Sequence, residues 1–160
     1  MGAVEDRLAE LGLTVPDVAT PVAAYVPAVQ DGSRVFTSGQ LPMVSGSLAD
    51  TGKVGEGEGE GFVTPERAKE LAQICALNAI AAVKSVVGDL DQVAQVVKVV
   101  GFVASDPSFT GQPGVVNGAS ELLGHAFGDR GVHARSAVGV AVLPLDAPVE
   151  VEITVALADE

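Results

Sequence analysis

The sequence predicts an α+β fold, a mixed β-sheet carrying two main helices in the order ββαβαββ. Three observations predict it. Residues 133–144 and 149–157 alternate apolar with small or polar side chains, which is the period of β-strands. Two segments, 64–88 and about 113–128, place apolar residues at helical spacing and close on glycine. Between them runs an apolar stretch, 93–104, that reads as a strand buried on both faces.

The elements follow in chain order. Val4, Leu8 and Leu11 recur at helical spacing and Gly12 is a stop, so residues 1–12 form a short amphipathic helix. Residues 23–29 and 34–38 read as a hairpin turned at Gln30-Asp31-Gly32. Residues 44–63 read as a long loop whose Gly55–Gly61 segment alternates Gly and Glu, a low-complexity composition that predicts mobility. Its carboxylates lack the calcium-loop pattern and a rigid cage. Thr64-Pro65-Glu66 then opens the first main helix with a hydroxyl cap, proline at the first position and an acid in the first turn. That helix runs to about Val87 with Gly88 as its stop. Ala68, Leu71, Ala72, Cys75, Ala79 and Ala82 line its apolar face, small enough to lie close on a sheet. Cys75 reads there as a small core residue without an activating partner. In the second main helix Val116, Leu123 and Phe127 face inward.

The last two strands carry the most information. Alternation puts Val138, Val140 and Val142 on one face and Arg135, Ala137, Gly139 and Ala141 on the other. In the final strand Val149, Val151, Ile153, Val155 and Leu157 share a face opposite Glu150, Glu152 and Thr154. The valines are taken as the packed face of the first of these strands. Arg135 and Glu150 are then expected on matching faces, with the guanidinium standing in a row of small residues that leaves room for a small anion.

Composition bounds the function. The 160 residues suffice for one domain, spanning the whole of 1–160, and 48% are hydrophobic. No apolar run is taken as long enough to span a bilayer, and the N-terminus lacks a signal-peptide pattern, so a cytoplasmic location and no membrane partner are expected. One cysteine permits no internal disulfide. Net charge is −12, with nine Lys and Arg, no Trp and 4% aromatics. Phosphate binding depends on basic residues, so no nucleic-acid partner is expected. The two histidines, His125 and His133, show no zinc spacing, and no nucleophile elbow or phosphate loop is present.

Four ordered motifs carry a family resemblance. They are Tyr25-Val26-Pro27-Ala28-Val29 running through Asp31-Gly32 to Phe36-Thr37-Ser38-Gly39-Gln40-Leu41-Pro42; Val115-Val116-Asn117; Ala134-Arg135-Ser136 leading to Leu143-Pro144; and Val149-Glu150-Val151-Glu152. Together they resemble the Rid family, the YjgF group of reactive-intermediate (imine) deaminases, over about residues 23–157. The resemblance implies a chorismate mutase-like fold and a homotrimer whose sheets meet in a central barrel, with active sites in clefts between subunits. It implies hydrolysis of small 2-imino carboxylates to 2-keto acids and ammonia without a cofactor. Arg135 would anchor the carboxylate and Glu150 would orient or deprotonate water. Tyr25, Ser38, Gly39, Asn117 and Ala137 would shape the pocket. Two positions depart from the common pattern. Ala137 stands where Cys is frequent, which removes thiol chemistry there, and His133 stands where Pro is common.

Simpler readings stand beside these. The simpler role for Arg135 is half of an inter-subunit ion pair with Glu150, and for Glu150 a solvent-facing carboxylate. Asn117 suits a helix cap, Tyr25 suits packing, Ser38 suits a turn, and His133 suits a loop. At the level of function, the alternatives to the deaminase are a non-catalytic small-ligand-binding or interaction protein on the same trimer and, against the acidity, an endoribonuclease or translation inhibitor.

Overall fold

A computed structural model describes residues 2–57 and 59–159. Its frame is a five-stranded sheet in the order β1-β2-β9-β7-β8, formed by Ala28–Asp31, Arg34–Thr37, Val149–Leu157, Val93–Ala104 and Ala134–Val140. All pairs are antiparallel except β7 with β8, which are joined by a helix and are parallel. Helices α2 (Pro65–Val87) and α3 (Gln112–Phe127) cover one face of this sheet. The core between them holds Val35, Val96, Val99, Val103, Val149, Val151, Ile153 and Val155 from the strands. Leu71, Cys75, Ile80, Val116, Leu123 and Phe127 come from the helices.

The long helices form as their end signals dictate. The Thr64 hydroxyl accepts from the Arg67 N–H at 3.1 Å, Pro65 takes the first helical position, and Gly88 closes α2 at a φ of +77°. Gly128 closes α3 at +62°. Among the described helices α2 alone is long and apolar enough to cross a bilayer, a length the apolar-run reading overlooked. It is spent as the core helix, with Ala68, Leu71, Ala72, Cys75, Ala79 and Ala82 all buried.

The N-terminal helix α1 (Ala3–Glu10) buries Val4 and Leu8. Leu11 stays exposed, and Gly12 turns the chain at a φ of +72°. Gly2 offers no side chain to cap this helix. The Asp91 carboxylate does so from the turn after α2, accepting from the N–H groups of Ala3 (3.0 Å) and Val4 (3.3 Å). These bonds hold the Asp91 carboxyl below its ordinary range.

Three local expectations are corrected. The first hairpin strand begins at Ala28 rather than at residue 23. Pro27 has no N–H for a ladder, and the chain before it folds locally, with the Val22 N–H on the Tyr25 hydroxyl. Gln30 and Asp31 belong to β1, paired with Val35 and Arg34, so the turn is Gly32-Ser33, with Gly32 at +59°.

Residues 44–63 are not one featureless loop. Met43–Val44 (β3) pairs with Ser47–Leu48 (β4), and Lys53–Val54 (β5) pairs in parallel with Phe62–Val63 (β6). The β5–β6 closure is fixed by the Lys53 N–H on Gly61 O at 2.9 Å. The glycines have a packing role as well. A Cβ at Gly57 would come within 2.7 Å of the Phe62 ring. Lys53 Nζ donates to Ala141 O at 2.7 Å, tying the segment to the exit of β8. Glu58 lies outside the described residues.

The third correction concerns which face is packed. In β8 the small row, not the valine row, lies on the helices. Ala137 is aligned with Gly101 and Gly139 with Val103, and α3 comes so close that a Cβ at Gly101 would sit 2.4 Å from Val116 Cγ2. A Cβ at Gly139 would sit 2.8 Å from Gln112 Nε2. Close helix approach selects small residues. Val138, by contrast, is 44% exposed on the opposite face. Nor is β7 buried on both faces: Val100 and Phe102 are half-buried on that same uncovered side.

Candidate functional site

Arg135 lies on β8, the edge strand beside α3. Its position two residues before Ala137 turns it toward the helix layer. There α3 presents Asn117 and Ser120, one turn apart on one face. Arg135 Nη1 donates to Asn117 Oδ1 at 2.8 Å and to Ser120 Oγ at 3.2 Å, while Nη2 donates to Pro113 O at 3.2 Å. Three of the five guanidinium N–H groups are thus held by the protein. Nε–H and one Nη2–H make no bond among the described residues, and a side-on carboxylate takes such a pair. Arg135 is half-buried, so the charge is oriented without being sealed off.

One residue of this cluster, Ser120, escapes the sequence reading. His133 lies in the loop just before β8, where the sequence places it. His133 Nε2 lies 2.8 Å from Ser120 Oγ, and its Nδ1 lies 2.6 Å from Gly131 O. The available signal was spacing: Ser120 is three residues from Asn117 on a helix, and His133 lies just before β8, two residues ahead of Arg135.

The other sequence-predicted residues gather elsewhere. Gln40 bridges to Val151, with N–H···O distances of 2.8 and 3.0 Å, and this brings Gly39 over Glu150. A Cβ at Gly39 would fall 1.8 Å from Glu150 Oε1, so only glycine lets the carboxyl lie against this backbone. The Ser38 hydroxyl donates to Val26 O at 2.6 Å and holds the chain just before β1 in place. Tyr25, Gly39, Gln40 and Leu41 line a small depression. Partial burial pushes the Glu150 carboxyl above its ordinary value of 4.5, and the neighbouring Glu152 charge raises it further. Cys75 lies beneath, fully buried, with Sγ 3.7 Å from Val149 O. Burial pushes its thiol well up, so it is not a thiolate nucleophile.

Within one chain these two groups do not meet. Across the sheet, Arg135 is aligned with Val99 and Ile153, and Glu150 with Phe102 and Val138. Side chains alternate, so the Arg135 row faces the helices and the Glu150 row faces the uncovered side. The expectation of a matching face for Arg135 and Glu150 is therefore corrected. Asn117 is an exposed helix residue that orients Arg135, and Ala137 packs against the core. Among the described residues no group of three His, Cys, Asp or Glu side chains is placed to hold a metal.

Comparison with known proteins agrees with this architecture. Residues 5–157 match the family model described as "YjgF/chorismate_mutase-like, putative endoribonuclease". Protein TCP17 of Trypanosoma cruzi is 42% identical over 157 residues, covering 98% of this chain and 95% of that protein. The crystal structure of Atu1372 from Agrobacterium tumefaciens, a protein of unknown function, is 43% identical with a TM-score of 0.87, over 98% of this chain and 93% of that one. A structure from Shewanella oneidensis titled a putative endoribonuclease is 31% identical with a TM-score of 0.91, over 98% and 100% of the two chains. With its motifs, its sheet order and nearly its full length in agreement, the chain belongs to the YjgF/chorismate mutase-like family, the Rid group.

Proposed function

We propose that this protein is a homotrimeric, cofactor-independent deaminase that hydrolyses small 2-imino carboxylates to 2-keto acids and ammonia. The observation that carries the reading is the guanidinium of Arg135, fixed by three protein acceptors at a partly exposed edge, with its Nε–H and one Nη2–H making no bond among the described residues. Such a fork accepts a carboxylate side-on.

Glu150 supplies the second requirement. Partial burial and the Glu152 charge raise its pKa above the ordinary carboxylate value, which strengthens it as a proton acceptor. Water adds through oxygen to the imine carbon as Glu150 removes its proton and passes it to the imine nitrogen. The carbinolamine then collapses to the ketone and expels ammonia. Because Arg135 and Glu150 lie on opposite faces of one sheet, the reading needs a second copy. The Arg135–Asn117 edge of one subunit faces the Tyr25–Ser38–Gly39–Glu150 surface of its neighbour. The exposed Val29, Phe36 and Val138 supply apolar area for that assembly.

The test couples the protein to a pyridoxal-phosphate dehydratase that releases 2-iminobutanoate, and follows the rate of imine loss. Arg135→Ala is expected to remove acceleration altogether, and Arg135→Lys to restore little of it, because a point charge lacks the fork. Full activity in Arg135→Ala overturns the site. Binding of 2-keto acids without any acceleration by the wild type would mark a ligand-binding protein instead. RNA cleavage that co-elutes with the protein and vanishes in Arg135→Ala would mark a nuclease.

A further inference from the structure

With a neutral imidazole, the order of donors and acceptors in the cluster behind Arg135 follows from Gly131 O. Gly131 O can only accept, so His133 Nδ1 carries the proton across their 2.6 Å contact. In the neutral ring Nε2 is then bare and must accept. Its partner at 2.8 Å is Ser120 Oγ, so the serine proton points to the ring. The serine oxygen is left with lone pairs only, and these face Arg135 Nη1 at 3.2 Å. A serine inside a helix ordinarily turns its proton back to the carbonyl four residues earlier. Here the imidazole takes that proton and makes the hydroxyl a dedicated acceptor for the guanidinium.

We propose that Ser120 and His133 are positioning residues for substrate carboxylate binding. Through them the chain Gly131–His133–Ser120 fixes the rotation of the Arg135 guanidinium, so that its Nε–H and Nη2–H fork stays presented to a small carboxylate. The inference rests on the deaminase reading above and adds to it the device that orients the anchor. Asn117 and Pro113 O hold the other protein-facing N–H groups, at 2.8 and 3.2 Å. Without Ser120 the Nη1 group keeps one partner of two, and the long side chain regains rotamers that binding must then remove. Neither Ser120 nor His133 touches the substrate in this scheme, so their loss weakens binding more than it slows chemistry.

The experiment measures the Kd of 2-oxobutanoate, a stable 2-keto acid, by calorimetry, together with KM and kcat in the coupled imine assay. The proteins are the wild type, Ser120→Ala, His133→Phe, His133→Gln and Arg135→Ala. Circular dichroism and Tm check that each is folded. Ser120→Ala and His133→Phe are expected to raise Kd and KM on the order of tenfold, the equivalent of freeing one long side chain, with kcat nearly unchanged. His133→Gln places an amide oxygen near the Nε2 position and is expected to return most of the affinity. The proposal is overturned if Ser120→Ala and His133→Phe bind as the wild type does, or if His133→Gln is as weak as His133→Phe. The two loss variants lie on either side of one hydrogen bond, so one that fails to fold leaves the other decisive. If Arg135→Ala itself binds 2-oxobutanoate like the wild type, the deaminase site is wrong and this refinement falls with it. If only Arg135→Ala loses binding, the site stands and the positioning role alone is refuted.

Discussion

Glu150 is the residue whose environment departs furthest from what its place in a strand suggests. Gly39 presses on its carboxyl, Glu152 repels it, and both burial and repulsion favour the protonated form. A carboxyl with a raised folded pKa stabilises the fold at low pH, and that contribution is lost as pH rises through the folded value. Glu150→Gln is therefore expected to raise Tm at pH 7, and the advantage should disappear near pH 4, where both proteins carry a neutral group. Thermal melts across that range check it, and an equal Tm difference at every pH would refute it. In catalysis the sign is opposite, since the proposed base must be ionised. The acid limb of kcat/KM should lie above the ordinary glutamate range, and Glu152→Gln should move that limb to lower pH by removing the repelling charge. A limb unmoved in Glu152→Gln would show that Glu150 does not set it.

At the scale of elements, small residues determine how close the helices come. Gly118 of α3 sits against the backbone of α2: a Cβ there would be 1.9 Å from Lys69 O. Alanine is the better helix former, by about 1 kcal/mol, so propensity alone predicts a gain from Gly118→Ala. Contact with a backbone carbonyl that cannot rotate away predicts a loss of roughly 1–3 kcal/mol, and the clash is the larger effect. Denaturant titration should show a lower midpoint with an unchanged slope. A stabilised variant would mean that the two helices slide apart readily. Asn78, buried on α2, donates its amide to Leu41 O (3.1 Å) and Met43 O (3.0 Å) and ties the start of β3 to the helix.

For the whole molecule, one sheet face is covered by helices and the other is open. Val29, Phe36 and Val138 stand exposed there beside half-buried Val100 and Phe102, with Glu150 and Glu152 among them. A monomer with this face in water would be poorly soluble in spite of its charge. Size-exclusion chromatography with light scattering is expected to give a mass near three times the 16.1 kDa chain. Val138→Asp, which buries an unpaired charge in the assembled face but fits an exposed strand, should shift it toward single chains and abolish imine hydrolysis without unfolding them. A wild-type protein that elutes as a monomer and still hydrolyses imines would remove the inter-subunit site.

Elements whose causes are local are legible in the sequence. Thr64-Pro65 and Gly88 bound α2, the apolar run gives β7, and the alternation of 149–157 gives the buried face of β9, because caps, breakers and side-chain period act within a few residues. The motifs were also enough to identify the family. What the sequence left open depended on partners far along the chain. Alternation separated the two faces of β8 but could not say which one met α3, since that follows from how closely the helix packs on Gly101 and Ala137. Arg135 and Glu150 were both legible as chemistry, yet their relative placement depends on the register of β8 and β9 against β7, and that pairing sets them on opposite faces. Ser120 and His133 carry no motif. Folding joins them to Arg135, because the hydrogen-bond chain exists once a helix residue and a loop residue thirteen positions apart are brought within 3 Å.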